Sequence, residues 1–315
     1  MDQDNPLVSV IIPAYQASAT IGATVASLVQ QRGAQKFEVI VVNSSLDETG
    51  LFVRQRMPEA RVVQLTERTL QATARNIGAR LARGKLLAFL DADCLAGEDW
   101  LKNMLAHYDS KYVGVGGPIG NANPESLISE AGYLLEFSEF LPRPSPIELE
   151  HIPSGNILVD RERFLAVGGF PQGYAYAQED RLLSYYLTQK FNARWLFHPD
   201  IQVEHRHRTH VGDFFKHQMA IGRGGAAILT WAPLSGYWLV RRRWLVLGLV
   251  VLLPWVKLMR CLGRAVRHRP GPWWGLFRVV PWMVLGQMGW MIGFVQIIIK
   301  QKNNVNFETD PRPDF

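Results

Sequence analysis

Asp91-Ala92-Asp93 closes the apolar run Leu86–Leu90. Two carboxylates two residues apart beside such a run are costly to bury unless a cation neutralises them. Hard oxygen ligands suit Mg²⁺ or Mn²⁺, which commonly take one or two carboxylates together with substrate phosphates. The triplet therefore points to a metal–diphosphate site, against the plainer reading of a solvated loop after a strand. A second acidic pair, Glu179-Asp180, follows Gln178 and precedes a helix-like stretch. On its own it reads as ordinary helix-start capping. Five of the eight His fall between residues 198 and 217. The spacing His205-x-His207-x-x-His210 fits no standard zinc motif, and the interleaved Arg206 and Arg208 disfavour a cation there. Cys94 reads as a small buried filler, because adjacent carboxylates oppose its ionisation.

These groups need a scaffold, and the first 110 residues describe one. Residues 8–12 and 39–42 are short β-branched runs that read as buried strands, as do 61–65 and 86–90. Between them, Ile21, Val25, Leu28 and Val29, and then Leu70, Ala74, Ile77 and Leu81, recur at helical spacing. Strands alternating with helices imply a mostly parallel sheet flanked by helices. Ligands then bind beyond the carboxyl ends of the strands, at residues 13–15, 43–47 and 91–93. Further along, 114–120, 142–146 and 168–173 read as turn-rich loops, and 182–187 and 214–221 as helical.

Three stretches in order carry a family resemblance: Val8-Ser9-Val10-Ile11-Ile12-Pro13-Ala14-Tyr15, Ala74-Arg75-Asn76-Ile77-Gly78, and Phe89-Leu90-Asp91-Ala92-Asp93. Together they resemble the family 2 glycosyltransferases, over roughly residues 7–235. The resemblance implies an α/β GT-A-type fold and an inverting transfer of sugar from a nucleotide-diphosphate sugar to a hydroxyl acceptor. It implies that Pro13, Ala14 and Tyr15 border the nucleoside. Asn43 stands where the family usually has Asp contacting the base; Asp47 matches a later acidic position or caps the following helix. Arg75 and Asn76 fall near the same rim, Asp91 faces the ribose or the metal, and Asp93 binds Mg²⁺ or Mn²⁺. Asp180 would be the catalytic base, with Glu179 in support. Leu182 and Tyr186 replace a further acid and an Arg of the family pattern. Ser154, Gly155 and Asn156 would border the acceptor and donor-sugar cleft. His205, with His207 as the alternative, would complete the metal or diphosphate site, and Arg223 would clamp the leaving group.

The formal charge of +6 is unevenly spread. Residues 236–315 hold twelve Lys/Arg against three Asp/Glu, leaving 22 against 25 in residues 1–235. Seven of the ten Trp also fall after residue 236. This division gives a catalytic domain at 1–235 and a basic, Trp-rich helical tail at 236–315, and it favours membrane lipid over nucleic acid as partner. Within the tail, 279–299 is 21 uncharged residues, about 31 Å as a helix and long enough to span. Residues 244–256 are too short to span and are expected to lie in the interface or re-enter. With no basic, apolar leader in residues 1–6, the catalytic part is expected on the cytoplasmic side. Two cysteines exclude a disulfide scaffold. A lipid-linked or envelope glycan is the expected acceptor. A sugar-1-phosphate nucleotidyltransferase is disfavoured because residues 13–20 lack the basic, Gly-rich phosphate loop; the intact acidic pairs disfavour a non-catalytic sugar-nucleotide binder.

Overall fold

The computed structural model describes residues 6–33, 35–172, 177–234, 236–238, 242, 248–249, 251–269 and 273–300. Its first half alternates as the apolar pattern requires: β1 (Val8–Ala14), α1 (Ile21–Val29), β2 (Phe37–Asn43), α2 (Thr49–Arg56), β3 (Arg61–Gln64), α3 (Gln71–Leu81) and β4 (Leu86–Leu90). There follow β5 (Cys94–Ala96), α4 (Trp100–His107), β6 (Gly114–Gly116), β7 (Ile119–Asn121), α5 (Leu127–Phe137), β8 (Ile147–Leu149), β9 (Asn156–Asp160) and α6 (Arg161–Ala166). The chain continues through α7 (Glu179–Phe191), β10 (Trp195–Phe197), β11 (Val203–His205), α8 (Val211–Trp231), α9 (Leu253–His268) and α10 (Val280–Lys300).

The main sheet runs β3-β2-β1-β4-β9-β6-β10-β8. β9 and β8 run against the other strands, so the sheet is mostly parallel. Alternation along the strands sorts the core into two faces. Val10, Ile12, Val39, Val41 and Ala88 pack with α1 and α4 on one face. Ile11, Ile40, Val42, Leu87 and Phe89 pack with α3, α6 and α7 on the other.

Two sequence expectations are corrected here. Residues 114–120 are not a loop but contain β6 and β7: backbone carbonyls of β9 and of residue 201 press so close to Gly114, Gly116 and Gly117 that no side chain fits. Glycine therefore marks close strand packing there rather than a turn. Leu70, just before α3, is exposed and Ile77 and Leu81 are half-buried, while Ala72, Ala74, Arg75, Asn76, Gly78 and Ala79 form the buried face of the helix. The helix seats itself by small residues and turns two polar ones inward.

A short sheet, β5-β11-β7, sits beside the main one. Antiparallel pairing sets His205 opposite Cys94, one residue from Asp93. Beyond it, α5, α8, α9 and α10 share an apolar cluster of Leu134, Phe214, Leu258, Cys261 and Met283. α10 lies along α8, with Gly222 against the Trp290 carbonyl and Gly293 against the Met219 carbonyl; a Cβ at either would collide with backbone. The packing thus continues across residue 235, where the sequence divides in composition. Residues 239–241, 243–247, 250 and 301–315 of the tail, with part of the first apolar segment, lie outside the described residues.

Candidate active site

Arg75 is the centre of the arrangement. Its guanidinium is 1% exposed. It donates from Nη2 to Asp91 Oδ1 at 2.6 Å and from Nη1 to Glu179 Oε1 at 2.7 Å. The sequence placed Arg75 on the rim; it is instead an internal tie between the end of β4 and the start of α7. Burial works against its charge, but Asp91 and then Glu179 hold the guanidinium pKa well above its ordinary value. Phe170 covers the guanidinium at 5.2 Å.

Asp180 follows Glu179 at the first turn of α7. Its Oδ2 accepts from the Ser154 amide at 3.3 Å and its Oδ1 from the Arg181 amide at 2.8 Å. Burial, then the neighbouring Glu179 charge, push its pKa up to about 6, against the opposing pull of Arg75 and the two amides. Gln178, just before the pair, has φ +78°, a left-handed conformation unusual for a residue with a side chain. Its amide binds the Ile221 carbonyl and accepts from Arg181, so the turn is held from both sides. Gly155 is required by a close approach: a Cβ there would come within 2.7 Å of Asp91 Oδ2.

Asp93 meets His205, with Oδ1 3.4 Å from Nε2. His205 Nδ1 contacts His207 Nε2 at 3.3 Å. Burial, then the His205 charge, depress the His207 pKa, so His207 is a neutral partner that orients the ring. Asp93, Cys94 and His205 bring ligand atoms within 4.8 Å of one another. Cys94 is buried, and burial followed by the charges of Asp93 and Asp91 holds its thiol protonated. The usable donor set is therefore a carboxylate and an imidazole, which fits a Mn²⁺- or Mg²⁺-type ion completed by phosphate and water oxygens. His210, the third member of the sequence triplet, is exposed at the start of α8.

Arg75, Asp91, Asp93, Glu179, Asp180 and His205 line one cleft of 660 Å³. Ser154 and Gly155 line it too. Other expected contacts are engaged elsewhere. Asn156 is buried, donating to the Pro118 and Ile201 carbonyls and accepting from Trp100 Nε1. Asn76 clamps the backbone N–H and C=O of Phe170. Asn43 donates to Gln64 Oε1 and the Ser45 carbonyl and accepts from the Ser45 amide and hydroxyl, leaving nothing for a base. Asp47 accepts from the Thr49 amide at the start of α2. Pro13 and Ala14 are buried in β1, whereas Tyr15 is 38% exposed with Arg68 over its ring. Arg223 does not line the cleft; it donates to Gln296 Oε1 at 2.9 Å. Arg208, which with Arg206 could hold phosphate by its sequence, does line it; sequence reasoning missed the other cations that do, Arg181, Lys257, Arg260 and Arg264. The i, i+3, i+7 spacing of the last three was visible, but it was assigned to lipid.

A parallel-stranded core with carboxylates and a His gathered beyond its strand ends defines a GT-A-type α/β domain. Residues 9–164 match the family model described as glycosyl transferase family 2. Those residues belong to that family. A validoxylamine A glucosyltransferase of Streptomyces hygroscopicus subsp. jinggangensis is 41% identical over 106 residues, 32% of this chain and 25% of that protein. The Escherichia coli UDP-Glc:alpha-D-GlcNAc-diphosphoundecaprenol beta-1,3-glucosyltransferase WfgD is 33% identical over 104 residues, 32% of this chain and 39% of WfgD. The matches thus span about a quarter to two fifths of these relatives. Among solved structures, the mannosyltransferase PcManGT from Pyrobaculum calidifontis, in complex with GDP-Man and Mn²⁺, superposes with a TM-score of 0.62. It is 19% identical, covering 95% of this chain and 89% of that one, and so supports the fold.

Proposed function

We propose that this protein is an inverting glycosyltransferase that moves a sugar from a nucleotide-diphosphate sugar to the hydroxyl of a lipid-linked or envelope glycan. The observation that carries this reading is Asp180, a half-buried carboxylate with its pKa raised to about 6, in the same cleft as Asp93 and His205. Asp180 takes the proton of the acceptor hydroxyl as that oxygen bonds to the anomeric carbon. The bond from that carbon to the diphosphate breaks, and its electron pair leaves with the nucleoside diphosphate. The other carboxylates support a single displacement rather than a double one. Asp91 and Glu179 are tied to Arg75, Asp93 faces His205, and Glu136 and Glu139 of the same cleft pair with His217 and Arg264, so among the described residues of the cleft no carboxylate besides Asp180 is unpaired. Asp93 and His205 would hold Mn²⁺ or Mg²⁺, which when bound supplies positive charge to the diphosphate. The imidazole nitrogen favours Mn²⁺.

A panel of nucleotide sugars assayed with and without Mn²⁺ tests the reading. One donor is expected to release nucleoside diphosphate, and Asp93→Ala to abolish release. Pyrophosphate as product would point to a nucleotidyltransferase, and no turnover with any donor to a sugar-nucleotide binder; either result overturns the assignment.

The same proposal places the protein on the cytoplasmic face of a membrane. α10 is long and apolar enough to cross one. It buries Gln287 and pairs Gln296 with Arg223 on its inner side, and it exposes Met288, Ile292 and Ile299 outward. α9 exposes Trp255, Val256, Met259 and Val266, continuing the exposed Leu252 just before it. Apolar stripes beside Arg267, Arg278 and Lys300 suit an anionic lipid surface. The full chain is expected to float with phosphatidylglycerol vesicles in a density gradient; recovery in the dense fraction without lipid would reject this placement.

A further inference from the structure

α9 is divided into three stripes. Pro254, Leu258, Cys261 and Ala265 face the protein. Trp255, Met259 and Val266 are exposed, as is Leu252 just before the helix. Lys257, Arg260 and Arg264, at i, i+3 and i+7, line the cleft. A surface-docking helix would be expected to turn its cations towards headgroups, beside its apolar face. Here the cation stripe enters the catalytic cleft instead.

The surroundings of that stripe are positive as well. Arg181, next to the proposed base, lines the same cleft. The His151 pKa falls to about 3, through burial and then the fields of Arg181 and Arg264. Burial brings the Lys257 ammonium down to about 8, with Arg181 adding to the fall and Cys261 and Glu136 opposing it. Lys257 lies over the Trp290 ring at 4.7 Å. Arg264 reaches Glu139 at 3.3 Å, but no carboxylate forms an ion pair with Lys257 or Arg260 among the described residues. Gathering like charges in a partly buried cleft is unfavourable unless an anion enters. The metal-side carboxylate, Asp93, is coupled to His205 rather than to this group. The cations group instead with Arg181, on the Asp180 side where an acceptor must sit.

We propose that Lys257, Arg260 and Arg264 seat the diphosphate of a prenyl-linked acceptor, whose hydrocarbon tail runs along the exposed apolar stripe of α9. Guanidinium groups match phosphate oxygens in paired hydrogen bonds. The two stripes of one helix then read the two halves of one amphiphile: tail in lipid, diphosphate in the cleft, sugar hydroxyl towards Asp180. This rests on the glycosyltransferase reading above and names the chemistry of its acceptor.

The test uses the full chain and three probes by titration: farnesyl diphosphate against farnesol, UDP or GDP with Mn²⁺, and phosphatidylglycerol vesicles. Arg260→Gln, alone and with Lys257→Gln, is expected to weaken farnesyl diphosphate at least about tenfold, the loss of one charge-assisted contact. Nucleotide binding should stay within about twofold, which also shows that the variants are folded. Arg260→Lys should keep more of the affinity than Arg260→Gln. Equal weakening of the nucleotide would assign the stripe to the donor and overturn the proposal. So would wild-type binding of farnesyl diphosphate no tighter than farnesol, or losses confined to the vesicles. A wild-type chain that binds farnesyl diphosphate but neither nucleotide would count against the glycosyltransferase reading while leaving this anion site standing.

Discussion

Asp180→Asn is expected to lower sugar transfer by roughly 10²- to 10⁴-fold, the usual contribution of a positioned general base. The amide keeps the shape of the carboxylate and one of its two acceptor oxygens, so one of the two bonds from the amides of Ser154 and Arg181 is retained. It cannot accept the acceptor proton. Donor binding should be unchanged, because Asp180 holds neither the ion pair at Asp91 nor the contact at Asp93. Nucleoside diphosphate release gives the turnover, and titration with the nucleotide gives the affinity. Turnover within about threefold of wild type would remove Asp180 from the base role.

The same residue sets a pH dependence with a definite sign. Only the ionised form works as a base, so kcat/KM should rise with pH through about 6 and fall about tenfold per unit well below it. Stability runs the other way. The folded-state pKa lies above the unfolded value, so the neutral carboxyl favours folding below the unfolded value, and that advantage is lost as pH rises through about 6. A flat profile from pH 5 to 8, in a range where the chain stays folded, would sink the assignment. Glu179 raises this pKa and Arg75 lowers it, so the profile also reports on the ion pairs beside the base.

Much of this was legible from short-range pattern. β1 and β2 follow from β-branched runs and β4 from a continuous apolar one, because a strand buried on both faces needs little but continuous apolar residues. Asp91 and Asp93 follow from their place after residues 74–78 and 86–90, since an acidic triplet at a strand end is by itself equally a solvated loop. Long-range pairing was not legible. Arg75 and Glu179 are 104 positions apart, and nothing local distinguishes a buried ion pair from a rim contact. Asn43, Asn76 and Asn156 looked like ligand groups by type, yet each closes a backbone or side-chain circuit that only the fold creates. Arg223 was drawn away by Gln296, because glycine contacts bring α8 and α10 close enough for that bond. Composition suggested a separate tail after residue 235, whereas α9 supplies a face of the cleft.

Arg75→Met is the substitution with the largest expected effect on stability. It removes one cation and leaves two carboxylates, Asp91 and Glu179, without their partner. Breaking a buried pair on one side typically costs 3–5 kcal/mol, because the desolvated charge that remains is uncompensated. The side chain of Asp91 is 24% exposed and that of Glu179 12%, so water recovers part of the penalty and about 3 kcal/mol is expected. Urea unfolding of the full chain measures it. Glu179→Gln added to Arg75→Met should restore part of the loss, since it removes one of the stranded charges, and the cycle isolates that pair. Arg75→Lys should fall between, because a single ammonium cannot hold both carboxylates in the fork that the guanidinium makes. A second readout separates the electrostatic role from simple packing. Arg75 pulls the Asp180 pKa down, so its removal should move the acidic limb of kcat/KM to higher pH. An Arg75→Met chain as stable as wild type, with an unmoved limb, would mean that the tie neither holds α7 to β4 nor tunes the base.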